Sequence, residues 1–147
     1  MSIPLTEHFS FEELTYSETA LRHNIKNVPL DGITKRNLQR LAENLEKVRN
    51  VLGHPIRISS GYRNSLVNSL VGSKPTSAHV KALAADFTCP DFGSVRDVVD
   101  AIIASDIQYD QIIWEFDSWC HIGFADDGVT PRREALTINK SGTKYYP

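Results

Sequence analysis

His79, Asp86 and His121 are the residues whose types and spacing could do chemistry. Six residues separate His79 from Asp86, and His121 follows thirty-five positions after the aspartate. Two imidazoles and one carboxylate make a three-ligand zinc set. A catalytic zinc keeps a position open for water or substrate, whereas a structural zinc is closed by four protein ligands. The set therefore points to hydrolysis. Asp86 lies within Ala82-Leu83-Ala84-Ala85-Asp86-Phe87. An ionised carboxylate among such apolar neighbours must be paired or metal-bound.

A hydrolytic zinc site also needs a general base, and Glu115 lies six residues before His121. The stretches 111–116 and 119–124 read as two strands of a hairpin. A wide loop pairing Phe116 with Cys120 would set Glu115 directly opposite His121, on one face with it. A two-residue turn at Asp117-Ser118 would instead oppose Glu115 to Cys120, but Asp-Ser is a poor type I′ pair. Asp117, at the turn, is the rival carboxylate. Cys89 and Cys120 are too few for a disulfide framework. Strand alternation turns both away from the proposed ligands, so they read as small core residues. His8, His23 and His54 have no matched carboxylate at a useful spacing.

Several elements must position these side chains. Ser10 and Glu13 form a capping-box pattern, predicting one short helix that ends before Asn24. Leu38, Leu41, Leu45, Val48 and Leu52 recur at intervals of three and four, which makes one apolar helix face, and Gly53 and Pro55 end it. Residues 56–60 alternate as a strand ending at Gly61. A short helix is expected over 65–71, then a loop over 72–77 leading into His79. Residues 84–89 read as a strand carrying Asp86. Ser94 to Asp97 opens another helix, with Val95, Val98, Val99, Ile102 and Ile103 on its core face. A last strand is expected over 133–138, and 141–147 as a loose end. The pattern is α+β: helices packed on a small, mainly antiparallel sheet.

The bulk properties narrow the function classes. The chain has 147 residues, enough for one domain with a proper core, expected to span 1–147 with its core at about 5–138. It is 41% hydrophobic and 23% charged, with a formal net charge of −2. That balance gives no pull toward nucleic acid or membrane, and no basic stripe interleaved with aromatics appears. No apolar run reaches the length of a bilayer span. The first residues have neither the basic nor the apolar segment of a signal peptide, so a cytoplasmic protein is expected; separately, a monomer is expected.

Four segments together carry a family resemblance: Ser59-Ser60-Gly61-Tyr62-Arg63-Asn64, Ser77-Ala78-His79, Ala85-Asp86 and Trp119-Cys120-His121. They resemble the signature of the zinc D-Ala-D-Ala peptidase superfamily, which also includes hedgehog signalling domains. The closest likeness is to its compact branch, common among phage endolysins, and to the C-terminal domain of zinc D-Ala-D-Ala carboxypeptidases. Residues 5–14 are typical of that branch. The resemblance implies a hedgehog/D,D-peptidase-like fold, and zinc on His79, Asp86 and His121. It also implies a base six residues before the last ligand, which is Glu115 here. Other members carry a glutamate three residues before that ligand, where this chain has Ser118. Several relatives have a histidine two residues before it, where this chain has Trp119.

The resemblance further implies that Arg63 faces the substrate, where its planar fork can grip a carboxylate or carbonyl. Ser77 matches a substrate-contacting hydroxyl. The implied substrate is a peptidoglycan stem peptide, cut either by an endolysin-type endopeptidase or by a D,D-carboxypeptidase. A phage enzyme of this kind would reach the cell wall after release from the cytoplasm. The alternative is a non-catalytic zinc-containing binding or phage structural module of the same fold, because fold and metal do not prove catalysis.

Overall fold

The structure is a computed structural model, and it describes residues 2–147. The chain divides into two compact units. One takes residues up to Glu46 together with Ser60–Ala85, and the other takes Lys47–Ser59 and Asp86–Pro147.

The first unit begins with α1 (Phe11–Thr15) and α2 (Glu18–Arg22). The single helix expected here is therefore two. The Ser10 hydroxyl caps α1 by accepting the Glu13 N–H at 3.1 Å. The Thr15 hydroxyl then donates back to the Phe11 carbonyl, Tyr16 turns extended, and Ser17 caps a new helix by accepting the Ala20 N–H. A serine that can satisfy a fresh helix start competes with continuing the old helix. Next comes α3 (Gly32–Leu52), started by the Asp31 carboxylate on the Thr34 N–H. Its expected stripe is the buried one: Leu38, Leu41, Leu45, Val48 and Leu52 are each at most 3% exposed. Gly53 follows at φ +66, the left-handed conformation that suits glycine after a helix.

α4 (Ser65–Leu70) is capped by Asn64, and a short 3-10 turn (Ala78–Lys81) follows the expected loop. Two buried asparagines organise the loops between them. Asn27 donates to the Thr15 and Tyr62 carbonyls and accepts the Asn64 N–H. Asn68 donates to the Lys74 carbonyl.

The described residues form six strands: β1 (Arg57–Ser60), β2 (Ala84–Thr88), β3 (Gln111–Glu115), β4 (Trp119–Gly123), β5 (Glu134–Asn139) and β6 (Gly142–Tyr145). The strand order is β1-β2-β4-β3-β5-β6. β3 pairs antiparallel with β4 and parallel with β5, and β5 pairs antiparallel with β6. α5 (Val95–Ile103) starts with a complete capping box between Ser94 and Asp97, and buries Val98, Val99 and Ile102. Val95 and Ile103, also expected in the core, are only half-buried. The fold class is α+β with a mostly antiparallel sheet, as the patterning predicts.

The C-terminal end departs from expectation. Residues 142–145 form β6, and the Tyr146 hydroxyl donates to the Asp100 carboxylate. The segment is too polar to read as a strand; pairing with β5 supplies what its side chains do not. Among the described residues, no helix is long and apolar enough to cross a membrane.

Candidate metal centre

His79 sits in the 3-10 turn, opened by Ser77, whose hydroxyl accepts the His79 N–H at 3.3 Å. The ring is buried, and its Nδ1 lies 2.7 Å from the Gly61 carbonyl. A carbonyl only accepts, so Nδ1 carries the proton and Nε2 carries the lone pair. This is the arrangement that holds a histidine ready as a metal ligand.

Gly61 is required there by close approach. A Cβ at this position would stand 2.4 Å from the Leu14 carbonyl oxygen, which also accepts the Tyr62 N–H at 2.8 Å. Gly61→Ala should therefore shift the carbonyl that orients His79. The expected result is about 1–3 kcal/mol less stability and zinc affinity weakened about 10–100-fold. Denaturant unfolding and metal titration would measure the two effects, and an unchanged affinity would remove Gly61 from the site.

Asp86 is the central residue of β2, between Ala85 and Phe87, both fully buried. Strand alternation turns it to the opposite face from those two, as predicted. His121 is the central residue of β4, and its Nδ1 lies 2.9 Å from Asp86 Oδ1. His79, Asp86 and His121 each offer one ligand atom, and these atoms lie within 4.8 Å of one another. Among the described residues no other trio of His, Cys, Asp or Glu meets that condition.

The donor set fits zinc. It has borderline imidazole nitrogens, one hard carboxylate oxygen and three ligands rather than four. Ligand atoms around a tetrahedral zinc lie about 3.3 Å apart, close to the Asp86–His121 separation. The cysteines stay outside the set. Burial pushes the fully enclosed Cys120 thiol well above its ordinary pKa, with Asp86 and Glu115 adding to the effect. Burial raises the Cys89 thiol too, and it lies against the His54 and Pro55 carbonyls. Both are thus the small core residues expected.

The hairpin register differs from the expected one. Glu115 pairs with Trp119, and the residue opposite His121 is Ile113. The turn closes one residue earlier, with Phe116 and Asp117 both at positive φ and the Ser118 N–H donating to the Glu115 carbonyl. The cause lies in β5: the Ile138 carbonyl takes the Phe116 N–H at 2.8 Å. The slip from expectation is two in the pairing sum, so Glu115 stays on the His121 face as a diagonal neighbour. Diagonal partners stand about 7–8 Å apart at Cα, within reach of a long side chain. Asp117 is exposed at the turn, and its carboxylate accepts the Trp114 indole N–H at 2.9 Å. The indole N–H of Trp119 is buried without a hydrogen-bond partner among the described residues.

Arg63 and Ser77 come together in the first unit. The Arg63 guanidinium donates to the Ser77 hydroxyl at 3.3 Å, to Asn68 Oδ1 at 3.2 Å and to the Ser60 hydroxyl at 3.4 Å. The sequence reading missed Asn68, which is 2% exposed and orients this arginine. A polar residue directly beside buried Val67 in a short helix was the available signal. It also missed Asn27, which looked like an ordinary loop residue.

A scan of protein families matches peptidase M15 over residues 7–123. No curated protein matches the chain. The family match spans well over half the sequence and includes His79, Asp86 and His121. The chain belongs to the peptidase M15 family, a family of zinc D-Ala-D-Ala peptidases.

Proposed function

We propose that this protein is a zinc peptidase that hydrolyses peptidoglycan stem peptides, with Glu115 as general base. The observation that carries the reading is the His79–Asp86–His121 trio, with its ligand atoms within 4.8 Å of one another, in a chain of the M15 family. A zinc ion held by these residues supplies a Lewis acid and lowers the pKa of a water toward about 7.

The remaining chemistry falls to the chain. The Glu115 carboxylate takes the proton of the attacking water and returns it to the leaving amine. It lies on the His121 face of the sheet, with Trp119 as its cross-strand partner. Asp86 is the one anionic ligand, so a divalent ion there keeps net positive charge. The Gly61 carbonyl holds the proton on His79 Nδ1. Arg63, aligned by Ser60, Asn68 and Ser77, presents a planar fork to an acidic group of the substrate. Stem peptides offer such groups at D-glutamate and at the terminal carboxylate.

The test is digestion of purified wall sacculi and of soluble stem peptides, with mass analysis of the new termini. Those termini distinguish an L-alanyl-D-glutamate endopeptidase of the endolysin type from a D,D-carboxypeptidase. Intact sacculi and intact peptides after incubation with zinc-loaded protein would overturn the reading in favour of a non-catalytic module.

Arg63 gives a sharper test of recognition. Arg63→Ala and Arg63→Lys should both lower kcat/KM on stem peptides, by about 2–5 kcal/mol in transition-state terms if a buried charge pair is broken, while zinc content stays normal. Lysine keeps the charge but loses the fork. Near-native kinetics for Arg63→Lys would mean that the acidic group is bound elsewhere.

A further inference from the structure

The family match ends at Gly123, the last residue of β4, yet the sheet continues for two more strands. The pairing registers show where these strands place their side chains. Ile113 of β3 is opposite His121 on one side and Leu136 on the other, and Leu136 is opposite Tyr145. In the next row Glu115 lies between Trp119 and Ile138, and Ile138 is opposite Thr143. Opposed residues share a face. The face that carries the metal ligand and the proposed base therefore runs on across β5 to the edge strand β6. At about 4.8 Å per strand, Tyr145 lies roughly 14 Å across the sheet from His121.

This extension is anchored from its other face. The Tyr146 ring meets Trp114 edge-on at 6.1 Å, and the Arg96 guanidinium lies 5.2 Å from the Trp114 centroid and 6.0 Å from that of Tyr146. The Tyr146 N–H donates to the Ala135 carbonyl at 3.0 Å. Thr137, which points the same way as Trp114, is buried. Neighbouring residues of a strand point to opposite faces. Fixing Tyr146 thus holds Tyr145 outward, and Tyr145 is 78% exposed. Beyond Glu115 the two rows consist of Leu136, Ile138, Thr143 and Tyr145, none of them charged.

We propose that β5 and β6 form a saccharide subsite, with Tyr145 as its stacking ring, which holds the glycan strand of the cell wall while the attached peptide lies at the metal centre. The inference rests on the peptidoglycan reading above and extends it from the peptide to the polymer. A pyranose has an apolar C–H face and a rim of hydroxyls. That chemistry matches an exposed phenol ring beside a threonine hydroxyl on an aliphatic floor. A charged stem peptide would instead call for charged partners, and these rows offer none past Glu115.

The experiment has two arms. The first measures binding of peptide-free glycan strands to the zinc-loaded full chain. Native protein should bind, Tyr145→Ala should bind about tenfold more weakly, and Tyr145→Phe should keep most of the affinity. Equal binding by native protein and Tyr145→Ala, or no binding by either, overturns the proposal. The second arm compares hydrolysis of intact sacculi with that of soluble stem peptides. Tyr145→Ala should lower the ratio of the two kcat/KM values about tenfold, mainly through KM on sacculi. An equal loss on both substrates would make the surface a peptide subsite and overturn the saccharide assignment. If native protein cuts neither substrate, the peptidase reading fails, and the binding arm still decides the glycan proposal. Circular dichroism and zinc content confirm that the variants keep the fold.

Discussion

His121→Ala is expected to abolish zinc binding and all hydrolysis. His121 lies at the centre of β4, and its Nδ1 is 2.9 Å from Asp86 Oδ1. Removing it leaves only His79 and Asp86, one imidazole and one carboxylate, short of the three protein ligands that a catalytic zinc requires. The Asp86 carboxylate also loses a hydrogen-bonding partner at a site only 14% exposed, so the apoprotein should lose stability as well. Metal analysis after purification should find about one zinc per native chain and none in the variant. Zinc should raise the melting temperature of native protein only, because a ligand that binds the folded state alone stabilises it by mass action. Full zinc occupancy in His121→Ala would overturn the ligand assignment.

Glu115→Gln should give the opposite split: zinc and fold retained, turnover lost. The amide keeps the shape of the carboxylate but cannot take a proton, and a general base contributes about 10²–10⁴-fold. The deficit should appear in kcat and kcat/KM together, since the proton moves only as the transition state forms. Asp117→Asn should be milder. Its side chain is exposed, and an asparagine oxygen can still accept the Trp114 indole N–H. If Asp117→Asn abolishes turnover and Glu115→Gln does not, the proton acceptor is at the turn rather than on the strand.

The sequence by itself determined the α+β class, the long helix with its leucine stripe, and which three residues, His79, Asp86 and His121, come together in one cluster. Each is legible for a local reason. A helix buries residues at a period of 3.6 and a strand at a period of 2, so burial imprints itself on spacing. A metal site demands side chains of few types, and an aspartate inside an apolar strand advertises its need for a partner. The tertiary structure decided what depends on contacts between distant segments. Ser17 could cap a helix or lie inside one, and only the folded chain shows that it splits α1 from α2. Gly61 looked like a strand end, and only the approach of the Leu14 carbonyl shows why no side chain fits there. The β3–β4 register rests on the Ile138 carbonyl, which holds the Phe116 N–H and places a phenylalanine in the left-handed region. No local preference predicts that conformation, because it is unfavourable for a bulky residue and is accepted only where surrounding contacts impose it. The same strand, β5, recruits the polar C-terminus as β6, through backbone pairing that leaves no trace in side-chain pattern.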